Sequence, residues 1–153
     1  MVQEAVFEGS LQWAGPSPGQ AFSYDSFDRT THLQFAGGAV AQASAPAEFN
    51  GDDSRLNPET LMLASLMQCH FLTFMAVASK SGATVLSYRD SGSGRLAMKD
   101  GRMRYVEVIL RPAVELADPV HMARLATFHD KAHANCFMAN SVNFPVLVQP
   151  PAG

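Results

Sequence analysis

Cysteine is scarce in this chain: two residues, Cys69 and Cys136, among 153. That is too few for a disulfide scaffold, and neither belongs to a Cys-x-x-Cys pair of the kind that anchors zinc. An excess of positive charge is also missing. Eleven Lys and Arg stand against 14 Asp and Glu, a formal charge of −3, so nothing supplies a sequence-independent grip on phosphate backbones and nucleic-acid binding is a poor reading. The start, Met1-Val2-Gln3-Glu4-Ala5, lacks a basic stretch followed by an apolar run, which predicts no secretory signal and a cytoplasmic protein. In a reducing compartment cysteines are free, metal-bound or redox-active. No repeat, low-complexity tract or linker interrupts the sequence, so one domain over residues 1–153 is expected. What remains, 47% hydrophobic and 16% charged residues, excludes disorder and is enough to bury a core.

One long uncharged run is present. Leu61 to Ser79 is nineteen residues without Asp, Glu, Lys or Arg, near the length of a membrane-spanning helix. Ser65, Gln68, Cys69, His70 and Thr73 lie at its centre, where polar groups facing lipid are costly. No second apolar stretch accompanies it. The run reads as a helix apolar on all sides and buried in a protein core, with no membrane involved.

The chain order gives an α+β protein. Val2–Trp13 reads as a strand, broken by Gly15-Pro16-Ser17-Pro18-Gly19. Thr30–Ser44 reads as a hairpin turning at Gly37-Gly38, and Asn50–Arg55 as a polar loop. Asn57 as cap, Pro58 at the first helical position and Glu59 in the first turn start a helix that runs to about Lys80 and stops at Gly82. At 1.5 Å per residue its ~23 residues span roughly 35 Å, enough to cross the whole core. Two long strands, Thr84–Lys99 and Arg102–Leu116, flank the turn signal Asp100-Gly101, and the second alternates with Val106, Val108 and Leu110 on one face. Asp118-Pro119 opens a second helix to about Ala134, with Val120, Ala123, Leu125 and Phe128 as its apolar positions. Val142–Val148, containing Pro145, reads as a final edge strand.

Cys69 falls near the midpoint of the first helix, with Ser65, Leu66, Leu72 and Thr73 three and four residues away. A buried helical cysteine is more often an inert small hydrophobe than a nucleophile. A reactive one needs a nearby cation or dipole, and the helix's own N-terminus is roughly 15 Å distant, so an activating arginine must come from elsewhere. Cys136 follows the second helix. If the two helices pack together the sulfurs can approach, as in a two-cysteine redox centre. Two unrelated buried cysteines, or a static disulfide, remain open readings at this point.

The flanking residues narrow the choice. Asn57-Pro58-Glu59-Thr60-Leu61, Ala64-Ser65-Leu66 and Cys69, followed by Lys131-Ala132-His133-Ala134-Asn135-Cys136 and Asn140-Ser141-Val142, resemble the two signatures of the OsmC/Ohr family of organic hydroperoxide reductases. The 67 residues from Cys69 to Cys136 and the strand–helix–hairpin–helix–strand order are similar too. The resemblance implies an OsmC-like fold, a long central helix and a second helix packed with antiparallel sheets in an intertwined homodimer. It implies a thiol peroxidase in which Cys69 attacks an organic hydroperoxide and becomes a sulfenic acid, and Cys136 condenses with it to a disulfide. A dithiol reductant, often lipoyl-type, then restores both thiols. It further implies an arginine that stabilises the thiolate and polarises the peroxide, oriented by a glutamate, here Glu59. Glu59 is ten residues before Cys69 on one helix, roughly 15 Å, so the expected site is shared between subunits. Arg29, at a strand entrance in Phe27-Asp28-Arg29-Thr30, is the favoured arginine, with Arg55 in reserve. His70 and Phe137 follow the cysteines where many relatives carry other residues.

Two competing readings stand. His129 and His133 are spaced i, i+4 with Cys136 three further on, which with Cys69 could form a zinc site. More often such a pair is an ordinary amphipathic face, and no cofactor or metal is expected. The other is a non-catalytic protein of the same fold that holds an apolar ligand or a metal. A thioesterase-like helix-in-sheet fold is disfavoured, because no Asp or Glu lies near the middle of the helix to act as its base.

Overall fold

The structure is a computed structural model and describes residues 4–151. Its contacts divide into two compact units, with the boundary after Leu61, in the first turns of the long helix.

The first unit is built on an antiparallel sheet of β1 (Gly9–Gln12), β2 (Thr31–Phe35) and β3 (Val40–Ala43) in that order. The β2–β3 turn uses Gly37 and Gly38, at φ 95° and 91°, a region only glycine enters without a Cβ clash. The expected first strand is shorter than its apolar pattern suggested: pairing begins at Gly9, and Val2 and Gln3 lie outside the described residues. Residues 13–30 form an irregular loop. The Trp13 indole N–H donates to the Asp28 carbonyl at 2.7 Å, and the rings of Trp13, Phe22 and Phe27 meet mostly edge-on. After β3 a short 3-10 turn, Ala47–Phe49, precedes the polar loop. Gly51 is required there, since a Cβ would sit 1.7 Å from the Ala45 carbonyl oxygen.

Helix α1 runs from Pro58 to Lys80, as its end signals dictate. Asn57 Oδ1 accepts the Thr60 N–H at 2.8 Å, and the Thr60 hydroxyl accepts the Asn57 N–H at 3.0 Å. These reciprocal bonds satisfy donors a helix start leaves orphaned. At the other end Gly82 is left-handed, φ 75°, and the N–H groups of Gly82 and Ala83 return to the carbonyls of Ser79 and Ala78, the pattern that closes a helix on glycine.

In the second unit, the buried residues of α1 form a single stripe, Leu66, His70, Phe74 and Ala78, at i, i+4 spacing. Two apolar clusters meet it. Phe74 and Ala78 pack with Ala83, Leu116, Phe128 and Ala132; Leu66 packs with Val108, Leu110 and Val146. Full burial of each such large side chain contributes about 1.5–3 kcal/mol. The expectation of a helix buried on all sides is corrected: Leu72 is 56% exposed and Met62 36%. Among the described residues α1 is the one helix whose length and composition would allow a membrane crossing.

Both expected long strands are broken. Thr84–Lys99 divides into β4 (Val85–Asp90) and β5 (Ser93–Lys99), and Arg102–Leu116 into β6 (Arg102–Leu110) and β7 (Pro112–Leu116). β5 and β6 flank Asp100-Gly101, both at positive φ, while β4 pairs with β7 in a separate two-stranded sheet. Side-chain contacts between the two segments and a proline make the break. Asp90 Oδ1 takes the Arg111 N–H at 2.8 Å, the Arg111 guanidinium reaches the Ser93 hydroxyl and the Ser91 carbonyl, and Pro112 has no N–H to continue a ladder. The second helix is broken too, into α2 (Pro119–Met122), capped by Asp118, and α3 (Leu125–Ala134). Val120 and Ala123, expected on its buried face, are exposed. The last strand, β8 (Val146–Val148), begins after Pro145 and pairs parallel with β6.

Candidate active site

Cys69 lies on α1 between Leu66, in one apolar cluster, and Phe74, in the other. Cys136 is two residues past the end of α3. The structure brings them together: the two side chains are near enough for each to act on the other electrostatically, both are free thiols, Cys136 is buried and Cys69 half-buried. The Met138 N–H also donates to Cys69 Sγ, at 3.4 Å. Burial pushes the Cys136 thiol up to about 11, and its neighbour Cys69 adds to that, against a downward pull from the N–H groups of Ala139 and Met138. Cys136 is therefore a neutral thiol at physiological pH.

The second signature is what shapes the turn carrying these donors. Asn135 donates from its side chain to the Lys131 carbonyl, Asn140 to the Ala134 carbonyl at 3.1 Å, and the Ser141 hydroxyl to the Phe137 carbonyl at 2.7 Å. The Asn140 N–H returns to the Cys136 carbonyl at 3.0 Å.

One residue after Cys69 the chain carries a feature that its sequence pattern does not reveal. His70 Nε2 and His129 Nδ1 are 3.1 Å apart, with the rings stacked at 5.4 Å between centroids and 11° between planes. Both residues are buried, and the His129 ring also packs on Phe74 at 4.6 Å. Burial lowers both imidazoles to about 4, and for His70 the neighbouring His129 and His133 add to the effect. The pair is thus neutral at pH 7, one ring nitrogen donating and the other accepting. It ties α1 to α3 one residue after Cys69 and seven before Cys136. The legible signal was the position of His70 within the stripe Leu66, His70, Phe74, Ala78. His129 therefore faces His70 rather than joining His133 and the cysteines, and among the described residues no three His, Cys, Asp or Glu side chains are grouped to hold a metal.

The charged residues assigned to the site lie in the first unit, each in its own surroundings. Arg29 donates to the carbonyls of Phe27 at 3.0 Å and Tyr24 at 2.6 Å, and its guanidinium stands 3.9 Å from the Phe27 ring centre and 5.2 Å from that of Tyr24. Arg55, the reserve, pairs with Asp52 at 2.9 Å and bonds the Gln42 side chain. Glu59 is half-buried in the first turn of α1.

Comparison with known proteins gives the fold and geometry a family. The OsmC-like protein family matches residues 51–150. An OsmC-like protein of unknown function from Vibrio cholerae is 29% identical, with a TM-score of 0.87 over 97% of this chain and 100% of its own. The Bacillus subtilis protein YmaD is 24% identical over 117 residues, 74% of this chain and 78% of that one. The organic hydroperoxide resistance protein OhrB of Bacillus subtilis, at 16% identity, shares the fold with a TM-score of 0.68 over 96% of this chain and 98% of its own. This chain belongs to the OsmC-like family, and its α+β architecture of helices with antiparallel sheets is the OsmC-like fold.

Proposed function

We propose that this protein is a thiol peroxidase that reduces organic hydroperoxides to alcohols, with Cys69 as the attacking sulfur and Cys136 as the resolving one. The observation that carries the reading is the closeness of a half-exposed Cys69 to a buried, neutral Cys136. It is supported by family membership and by structural neighbours named as organic hydroperoxide resistance proteins.

The Cys69 thiolate attacks the distal peroxide oxygen. An S–O bond forms, the O–O bond breaks, sulfur loses two electrons, and the alkoxide takes a proton from solvent and departs as the alcohol. The Cys136 sulfur, its proton passing to the departing hydroxide, then attacks Cys69; an S–S bond forms and water leaves. An external dithiol, of lipoyl type, restores both thiols by exchange. The inequality of the two cysteines suits the order of events: the more accessible sulfur meets substrate, while the buried neutral one does not compete for it. Arg29 polarises the peroxide and Glu59 orients Arg29, in a site completed by an intertwined homodimer working in the cytoplasm. Support for a partner copy comes from the large apolar side chains a single chain leaves exposed, among them Phe7 at 92%, Val6 at 77% and Leu72 on α1.

Thiol titration tests the reading. One equivalent of an alkyl hydroperoxide added to reduced protein should remove two thiols, and Cys69→Ser should prevent the loss. Unchanged thiols with the peroxide intact would overturn it. Sedimentation should return a dimer, and a monomer at working concentration would defeat the shared site.

A further inference from the structure

Both sulfurs are served by one short piece of backbone, the turn 137–140 after α3. The Met138 N–H points at Cys69 Sγ, 3.4 Å from nitrogen to sulfur, and Met138 and Ala139 also offer their N–H groups to Cys136. A neutral thiol is a weak acceptor, whereas a thiolate is charged and strengthens any donor aimed at it. A donor fixed before the charge appears needs no reorganisation when it does. This one is fixed: the side chains of Asn140 and Ser141 lock the turn through the Ala134 and Phe137 carbonyls, and the Ser141 N–H closes it on the Met138 carbonyl at 3.1 Å. The Met138 backbone stands at φ −68°, ψ −40°.

We propose that the Met138 main-chain N–H is a catalytic group, the donor within the second unit that stabilises the Cys69 thiolate for attack on the peroxide. Its place in a peroxidase cycle rests on the function proposed above; its action on the thiolate does not. The donor acts in the step that forms the S–O bond and breaks the O–O bond, by holding charge on Cys69 until the sulfur is spent. Once Cys69 is bonded to Cys136, its sulfur is a neutral, weak acceptor, and the N–H has little left to stabilise. The arrangement also gives the second signature a chemical purpose: Asn140 and Ser141 aim a backbone donor at a sulfur on another helix.

The experiment needs no peroxide. In a Cys136→Ser background, where Cys69 is the remaining thiol, the rate of alkylation by iodoacetamide is followed from pH 5 to pH 10. Met138→Pro removes the N–H at a φ that proline already favours. It should slow alkylation at neutral pH by roughly tenfold, the size of one charge-assisted bond, with the rate recovering at high pH. Met138→Leu, which keeps the N–H, should recover the neutral rate. A neutral rate within twofold for the proline variant would overturn the proposal, as would a loss that persists at high pH, which marks simple obstruction. Should the proline variant not fold, the amide proton of Met138 in the otherwise native protein decides by NMR. It should shift with the ionisation of Cys69 and stay still in Cys69→Ser, and an amide that ignores that ionisation would overturn the proposal. A protein that passes these tests yet leaves hydroperoxide untouched would refute the peroxidase function alone.

Discussion

The two compact units treat their candidate residues in opposite ways. In the second unit the Met138 N–H reaches Cys69, Cys136 is the neighbour of both, and the His70–His129 pair joins α1 to α3 one residue further along the helix. In the first, Arg29 is occupied by two carbonyls and two aromatic rings of its own loop, and Arg55 by Asp52 and Gln42. Packing within the second unit preassembles the dithiol, whereas Arg29, the cation proposed for the chemistry, is engaged by a separate set of contacts in its own loop. Disulfide formation and peroxide attack should therefore respond to different substitutions.

The largest effect separates the steps outright. Cys69→Ser should abolish peroxide-driven thiol loss, while Cys136→Ser should stop the cycle at the sulfenic acid, detectable by dimedone trapping. Arg29→Ala should slow the first step by tenfold or more, roughly the value of a charge-assisted contact to the reacting group. It should leave the later disulfide step near its native rate, as single-turnover kinetics would show. If instead both steps fall together, the two units are not separable in function.

Packing gives the next effect. Phe74 is fully buried, touching Phe128, Tyr88 and His129, so Phe74→Ala should cost about 3–5 kcal/mol in urea unfolding. A cost under 1 kcal/mol, of the order of an exposed substitution, would show that the cluster around Phe74 is not packed as described.

A pH dependence follows from the histidine pair. Both imidazoles lie near 4 in the folded protein, held there by burial, against an ordinary value of 6.5. The unfolded chain binds these protons first, so their contribution to stability is whole above pH 6.5 and is lost as pH falls from 6.5 toward 4. The loss should be on the order of a few kcal/mol for the two groups. The double variant His70→Gln, His129→Gln should flatten that slope in denaturant titrations at successive pH values. An unchanged slope would place the acid sensitivity elsewhere. The smallest effect is in the first unit, where Asn57→Ala should cost about 1 kcal/mol by removing the cap of α1.

Much of this was legible where a residue acts on its near neighbours. Asn57-Pro58 and Gly82 mark the ends of α1, Gly37-Gly38 and Asp100-Gly101 mark two turns, and Asp118 caps α2. Breaks made by distant partners were not legible: the division of β6 from β7 depends on Asp90 reaching Arg111, 21 residues away. The site divides along the same line. Flanking motifs singled out both cysteines, but alternation and spacing carry no information on which face of α3 meets α1. For that reason the i, i+4 spacing groups His129 with His133 as a candidate metal ligand, whereas its ring pairs with His70 across the helices. The Met138 donor was invisible for a different reason, since a main-chain N–H leaves no mark on residue type.

The most direct test of a preassembled dithiol is peptide mapping of the reduced protein after one equivalent of an alkyl hydroperoxide, under non-reducing conditions. The expected product is a single disulfide joining Cys69 to Cys136 of the same chain, two hydrogens lighter than the reduced form, and absent from either serine variant. Both thiols remaining free, or a disulfide joining two different chains, would contradict it.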